Sequence, residues 1–289
     1  MLSDKIKLII NGLYRSRLGW FTRWRRARIL KRTAFDESVW RETVARYSFL
    51  RVLTDAELAR LKELVIFFLH EKAIHGAGNL IIRDEMRMAI AVQACILILN
   101  LDFACYRGWI EVIVYPGEFV ADYEYMDENG VVHRVREPMS GESWLQGPVI
   151  LSWADTAAAD RGAGYNVVIH EFAHKLDMLN GDANGFPPLH AGMSREAWSQ
   201  AFAAAYEDFC RRIDRNEETL VDPYAADDPA EFFAVTSEAF FEIPQALQAS
   251  YPEVYRQLAL FYKQDPSLRL QHAAGGMAAA SVAHAGTGG

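Results

Sequence analysis

The sequence predicts an α+β fold in which packing helices surround a small mixed sheet. Apolar residues recur at helical spacing in the first hundred residues, alternate with a period of two in the middle of the chain, and return to helical spacing afterwards. The 289 residues, 51% of them hydrophobic, suffice for one sizeable core. We therefore expect one domain at 34–268, a basic amphipathic segment at 1–33 before it, and a disordered Ala/Gly-rich tail at 269–289.

Local signals predict the individual elements. The capping box Thr54-Asp-Ala-Glu57 begins an amphipathic helix, and Asp127-Glu-Asn-Gly130 is a hairpin turn. The other predicted elements are a helix at Asp84–Leu99, strands at Trp109–Tyr115, Phe119–Tyr125, Val131–Val135 and Val149–Trp153, and helices at Ser194–Ile213 and Tyr251–Tyr262. The strand at Val149–Trp153 comes shortly before the stretch Val167–Asp177, which carries the strongest functional signal. We therefore expect this strand to form a wall of the functional site, with a free edge that could receive a peptide as an added strand.

Composition and charge exclude several classes of protein. No apolar run reaches the about 18 residues of a transmembrane helix, and the N-terminus lacks the apolar core and cleavage site of a secretory signal. Three cysteines without metal-ligand spacing are typical of reduced thiols, so we expect a cytoplasmic protein. Residues 1–32 carry ten Lys/Arg against one acid in a chain of net charge −8, and the acidic remainder argues against direct nucleic-acid binding. We expect the segment 1–33 to pack its aromatic residues on the main body; contact with an anionic surface is the alternative.

The stretch Val167–Asp177 carries the strongest functional signal. Its apolar positions have helical spacing, which places His170 and His174 one turn apart on one face, with Glu171 beside them. Two imidazoles so placed can bind one Zn²⁺, and a His-Glu-x-x-His (HExxH) helix is typical of zinc peptidases. The alternative is an amphipathic helix with two polar residues at its exposed edge, but the apolar run before His170 predicts burial, where histidine and glutamate need partners. The pattern predicts a zincin-like metallopeptidase core with an active-site HExxH helix.

The residues alone leave the third metal ligand open. A further histidine of the metzincin type is excluded, because Asp177 and Asn180 stand where that pattern needs glycine and histidine. The remaining option is a carboxylate from a second helix. The candidates are Glu231, Glu238 and Glu242, with His190 as a less favoured one.

Two acidic residues, Glu231 and Asp177, could also have no functional role. Asp228-Pro-Ala-Glu231 has the form of a helix N-cap with proline at the first position, so Glu231 could merely close a capping box. Tyr224, seven residues earlier on a predicted loop, could reach across the site and favours Glu231 as the ligand. Asp177, one turn beyond His174, could orient a ligand imidazole or lie at the surface, and the sequence does not separate these two roles.

Several ordered segments resemble one known family. They are Val114-Tyr-Pro-Gly-Glu-Phe-Val120, Ser143-Trp-Leu-Gln-Gly-Pro-Val149, Val168–Met178, Asn180-Gly-Asp182 and Asp222–Phe241. Over about residues 40–270 the chain is similar to the Mlc titration factor A family. That family consists of bacterial zinc peptidases of gluzincin type, which are related in their core to the anthrax lethal factor catalytic domain.

The resemblance implies a site, an activity and a partner. The implied residues are His170, His174 and Glu231 as ligands of Zn²⁺, Glu171 as catalytic base, and Tyr224 as a hydrogen-bond donor in the transition state. The family also implies aminopeptidase-like hydrolysis of a peptide substrate, and binding to Mlc, a glucose-responsive transcriptional repressor. A function from another class is the alternative: a non-catalytic regulatory protein that sequesters a transcription factor, with a structural or vestigial zinc site.

Overall fold

The main sheet has four strands, which are β1 (Ala73–Gly76), β2 (Glu111–Tyr115), β5 (Gly141–Ser143) and β6 (Val149–Ser152). Their order in the sheet is β1-β2-β6-β5, in which β1, β2 and β6 run parallel and β5 pairs antiparallel with β6. The computed structural model describes residues 27–30, 33, 35–117, 119–126, 132–139, 141–143, 147–159 and 164–273. The predicted combination of helices with a small mixed sheet is confirmed.

A separate two-stranded hairpin consists of β3 (Phe119–Met126) and β4 (Val132–Met139). The two strands are antiparallel, with Tyr125 opposite His133. The hairpin was predicted from its turn residues, and its second strand is longer than the predicted Val131–Val135.

Helices make up most of the other described residues. They are Glu37–Arg46, Ser48–Arg51, Asp55–Glu71, Asp84–Leu97, Trp153–Ala158, Val167–Asp177 (the His helix), Arg195–Asp214, Pro229–Glu242 (the Glu helix), Pro244–Ser250 and Pro252–Tyr262, with short 3₁₀ helices at Phe103–Tyr106, Met178–Asn180 and Pro223–Ala226. Residues 27–30 and 266–273 are also helical. No helix within these described ranges is long and apolar enough to cross a membrane.

The strand that begins at Val149 differs from its prediction in two ways. It ends at Ser152, because the Ser152 hydroxyl accepts a hydrogen bond from the Asp155 amide at 3.3 Å and caps a helix that starts at Trp153. It also has no free edge, since β2 pairs with one side and β5 with the other. The prediction that this strand could receive a peptide at a free edge is therefore wrong. Among the described strands, β5 is the edge strand on that side.

An aromatic cluster fixes the orientation of the His helix. The Phe172 ring lies between the rings of Phe68, Tyr106 and Trp109, at centroid distances of 5.6, 5.2 and 5.5 Å. All four side chains are buried, and burying one such ring contributes roughly 1.5–3 kcal/mol. Phe172 stands midway between the two histidines in the sequence, so it points away from the face that they share. The aromatic cluster therefore fixes that face on the opposite side of the helix from these rings.

The described residues cover the predicted domain ends only in part. Residues 1–26 and 274–289, which hold most of the basic segment and of the predicted tail, lie outside the described ranges. Near the start, Ile29 packs in the hydrophobic core. Near the end, Arg269 Nε lies 3.0 Å from Glu57 Oε1, and residues 266–273 are helical. The folded part thus extends past residue 268, because this ion pair holds the first residues of the predicted tail against the body.

Candidate metal centre

The His helix presents two imidazoles at one point. Asn166 begins the helix, because its side-chain oxygen accepts a hydrogen bond from the Ile169 amide at 3.0 Å. One turn apart, His170 and His174 bring their Nε2 atoms to 3.2 Å from each other. Both rings are largely buried. Two nitrogen donors are therefore held together where little water reaches them.

The Glu helix brings a carboxylate to the same point. Asp228 caps this helix by accepting hydrogen bonds from the amides of Ala230 at 2.7 Å and Glu231 at 3.0 Å. The Glu231 carboxylate lies 3.0 Å from His170 Nε2 and 3.3 Å from His174 Nε2. The side chain of Glu231 is thus directed at the histidines and not back at the N-cap.

These three groups fit a tetrahedral metal ion. His170 Nε2 lies 3.2 Å from His174 Nε2 and 3.0 Å from Glu231 Oε2, and His174 Nε2 lies 3.3 Å from the other carboxylate oxygen, Glu231 Oε1. Ligand atoms at about 2.0–2.1 Å from a tetrahedral ion are roughly 3.3 Å apart, which is close to these distances. Two imidazoles and one carboxylate are also the donor set of His₂Glu zinc sites, which keep a fourth position for water or substrate. Within the described residues, His170, His174 and Glu231 form the one group of three such side chains close enough to hold an ion.

The electrostatics of the site favour a cation. Burial raises the pKa of Glu231, but hydrogen bonds from His170 and His174 outweigh burial and lower this pKa to about 2. Burial lowers the pKa of His170, yet hydrogen bonds to Glu231 and Glu238 raise it well above its usual value. The carboxylates thus stabilise positive charge at the point where the two imidazoles meet, as a site for a divalent ion requires.

The two predicted catalytic residues border this centre. Glu171 is 3% exposed, burial raises its pKa to about 7, and its Oε2 atom has no hydrogen-bond partner within the described part of the chain. Tyr224 lies in the 3₁₀ helix Pro223–Ala226 and not in a loop. Its ring centroid is 6.3 Å from that of His170, and the residue is 47% exposed. The tyrosine can therefore meet a ligand that enters from solvent.

The other two glutamates considered as third ligand have different partners. Glu238 Oε1 lies 2.8 Å from His170 Nδ1, the ring nitrogen opposite the centre, and Glu242 Oε1 accepts a hydrogen bond from the Asn166 side chain at 2.7 Å. Neither therefore competes with Glu231. The N-cap role of Asn166 was not predicted, although asparagine directly before an apolar helix is a common N-cap signal.

His190 and Asp177 are engaged away from the centre. His190 Nε2 lies 2.7 Å from the Phe261 carbonyl oxygen, and its ring stacks on that phenyl ring. Asp177 is fully buried, so a place at the surface is the wrong alternative. Its Oδ2 atom accepts hydrogen bonds from the amides of Asn184 at 2.8 Å and Gly185 at 2.7 Å. Asp177 therefore holds the loop that follows the His helix and makes no direct hydrogen bond to the imidazole of His170 or His174.

That loop meets the start of the Glu helix at Gly185. Gly185 has a φ of +74°, and a Cβ atom there would lie 2.4 Å from the Pro229 carbonyl oxygen. We expect Gly185→Ala to lower the free energy of unfolding by about 1–3 kcal/mol more than Gly192→Ala does, because the overpacked contact must displace the loop or the helix. Gly192 is the matched control, with a φ of +101° and nothing within 4 Å of an added Cβ. Urea denaturation measures both losses, and equal losses would contradict the close contact.

Residues 21–263 of the chain match the model of a family described as glucose-regulated metallo-peptidase M90. The chain belongs to this family. The M90 match spans the His helix and the Glu helix, and hence every residue of the candidate metal centre. As an M90 member, the protein is metallopeptidase-like, and a possible three-residue metal site accompanies that assignment.

Relatives named Mlc titration factor A are similar to this M90 chain over most of its length. The protein of Escherichia fergusonii is 38% identical over 239 residues, which cover 82% of this chain and 90% of that protein. The protein of Serratia proteamaculans is 39% identical over 235 residues, 80% of this chain and 89% of that protein. The protein of Salmonella typhi is 41% identical over 224 residues, 76% of this chain and 83% of that protein. The resemblance to the Mlc titration factor A family is thereby confirmed.

Proposed function

We propose that this protein is a zinc-dependent peptidase with a zincin-like core, which hydrolyses peptide bonds in the manner of an aminopeptidase. The observation that carries the proposal is the convergence of His170, His174 and Glu231, whose nearest ligand atoms are 3.0 to 3.3 Å apart. Membership of a metallo-peptidase family supports it. Zinc is the ion proposed, because it favours four ligands in a tetrahedral arrangement and accepts imidazole and carboxylate together.

Each residue of the proposed site would have its own role in the reaction. A bound Zn²⁺ would lower the pKa of a water molecule to about 7 and polarise the substrate carbonyl. Glu171 accepts a proton from the water that attacks the carbonyl carbon, and passes it to the leaving nitrogen, so that the C–N bond breaks and a carboxylate and an amine are released. The Tyr224 hydroxyl donates a hydrogen bond to the carbonyl oxygen while negative charge develops there.

Metal removal tests this proposal. We expect the purified protein to contain zinc and to cleave a panel of aminoacyl-nitroanilide substrates. Dialysis against a zinc chelator should remove both the metal and the activity, and added Zn²⁺ should restore both. Added Mg²⁺ should not restore them, because Mg²⁺ prefers oxygen ligands in octahedral geometry. A protein that holds no metal, or that cleaves these substrates equally well after chelation, would contradict the proposal.

A second function is favoured by the names of the relatives, which are called titration factors of Mlc. We propose that this protein also binds an Mlc-like, glucose-responsive transcriptional repressor. The alternative is a non-catalytic regulatory protein that only sequesters such a factor, with a structural or vestigial zinc site. A bacterial repressor acts in the cytoplasm, and the free thiols of Cys95, Cys105 and Cys210 fit that reducing compartment.

A further inference from the structure

Three glutamates of the Glu helix contact three different parts of the His helix. Glu231 lies at the facing nitrogens of the two histidines, Glu238 lies at the opposite nitrogen of His170, and Glu242 lies at the Asn166 side chain. Spacings of seven and four residues place all three on one helix face. Later residues of the Glu helix contact earlier parts of the His helix, so the two helices run antiparallel. Only the first glutamate is used by the proposed metal centre.

Glu238 is the most buried of the three, with 1% of its surface exposed. Its Oε1 atom lies 2.8 Å from His170 Nδ1, and its Oε2 atom accepts a hydrogen bond from the Asn166 amide. Asn166 is the N-cap of the His helix, so the positive end of the helix dipole also faces this carboxylate. A buried carboxylate is costly unless it is hydrogen-bonded, and both oxygens of Glu238 have a donor.

We infer that Glu238 is a positioning residue for the metal centre, which fixes the tautomer and the ring orientation of His170. The inference rests on the proposed zinc-peptidase function. In a neutral imidazole one nitrogen carries the hydrogen and the other the lone pair, so a carboxylate that accepts the Nδ1 hydrogen leaves the Nε2 lone pair for a cation. The lone pair then points to where His174 and Glu231 converge. The same hydrogen bond makes the imidazole a stronger electron donor to the ion.

If the hydrogen bonds of Glu238 only joined the two helices and had no role at the metal, the consequence would be different. Glu242 also joins the helices, through the Asn166 side chain, and stands one turn from Glu238 on the same face. It therefore provides a matched control, because Glu242→Gln removes one carboxylate charge from the same helix pair. If Glu238 acts on His170, the Zn²⁺ affinity should fall when Glu238 is substituted and stay the same when Glu242 is substituted.

The test compares Glu238→Gln, Glu238→Ala and Glu242→Gln in the full-length protein. Glu238→Gln keeps the side-chain volume and an acceptor oxygen but loses the charge, whereas Glu238→Ala loses both. We expect Glu238→Ala to weaken Zn²⁺ binding by about 10–100-fold and Glu238→Gln to weaken it less, with Glu242→Gln close to wild type. Competition with a colorimetric chelator measures the affinity. The visible absorption of the Co²⁺-substituted protein reports the ligand geometry, which should change in the Glu238 variants alone.

Thermal unfolding separates metal binding from folding in the same variants. The increase in Tm on adding Zn²⁺ should be smaller in the Glu238 variants than in Glu242→Gln, because a weaker ligand stabilises the native state less. If Glu238→Ala fails to fold, the isosteric Glu238→Gln carries the test. Wild-type Zn²⁺ affinity in the Glu238 variants, or an equal loss in Glu238→Gln and Glu242→Gln, would overturn the inference and leave the proposed function intact. A wild-type protein that does not bind Zn²⁺ would instead overturn the proposed function.

Discussion

Glu171→Gln is expected to lower kcat for peptide hydrolysis by about 10²–10⁴-fold while the zinc content stays the same. Glutamine has nearly the same volume as glutamate and can occupy the same buried position, but it cannot accept a proton from water. Glu171 is not one of the three side chains that converge as ligands, so its charge is not needed to hold the ion. Atomic absorption and steady-state kinetics on one preparation measure the two quantities.

The control for this variant is Glu207→Gln, an exposed glutamate on the helix Arg195–Asp214, which should change neither quantity. A Glu171→Gln protein that cleaves as fast as wild type would exclude Glu171 as the base. The same variant separates the two proposed functions. If a purified Mlc-like repressor is captured equally well by wild type and Glu171→Gln, repressor binding does not require peptide cleavage.

The His helix could be predicted because its determinants are local. Apolar spacing predicted a helix at Val167–Asp177, and the structure has a helix with these bounds. The capping box at Thr54 and Glu57 likewise predicted a helix start, and both of its hydrogen bonds form. Such signals lie within one or two helical turns, so they do not depend on how the chain folds elsewhere.

The edge strand β5 was not predicted, because the residues that determine it lie outside it in the sequence. The strand β5 consists of Gly141-Glu-Ser143, which has no apolar residue and no alternation to mark it as a strand. It forms because its residues pair with β6, where Ser143 lies opposite Val149. The sequence showed the apolar strand β6 but not the polar segment that covers its edge.

The choice among the acids of the Glu helix is also a question of tertiary packing. Glu231, Glu238 and Glu242 lie on one face, so their spacing gives each the same direction. Which of them meets Nε2 and which meets Nδ1 of His170 depends on how the two helices are displaced along each other. That displacement is set by packing between distant parts of the chain, such as Phe172 on aromatic side chains outside both helices.

Glu231→Ala is expected to weaken zinc binding by more than the about 10–100-fold that the loss of an outer partner of a ligand costs. The substitution removes one of the three groups that converge, and it leaves His170 and His174 as the remaining pair. Peptide cleavage should fall together with the zinc content. Chelator competition measures the affinity, and metal analysis after dialysis measures the zinc retained.

The parallel measurement on Glu238→Ala decides the ligand assignment. Glu231 contacts the facing Nε2 atoms of both histidines, whereas Glu238 contacts only Nδ1 of His170, so the loss should be larger for Glu231→Ala. Glu231→Asp adds a check on geometry: it keeps the charge but shortens the side chain by one CH₂ group, so binding should be weaker than in wild type and stronger than in Glu231→Ala. A larger loss in Glu238→Ala than in Glu231→Ala would contradict Glu231 as the third ligand, since the loss of an outer partner typically costs only about 10–100-fold in metal affinity.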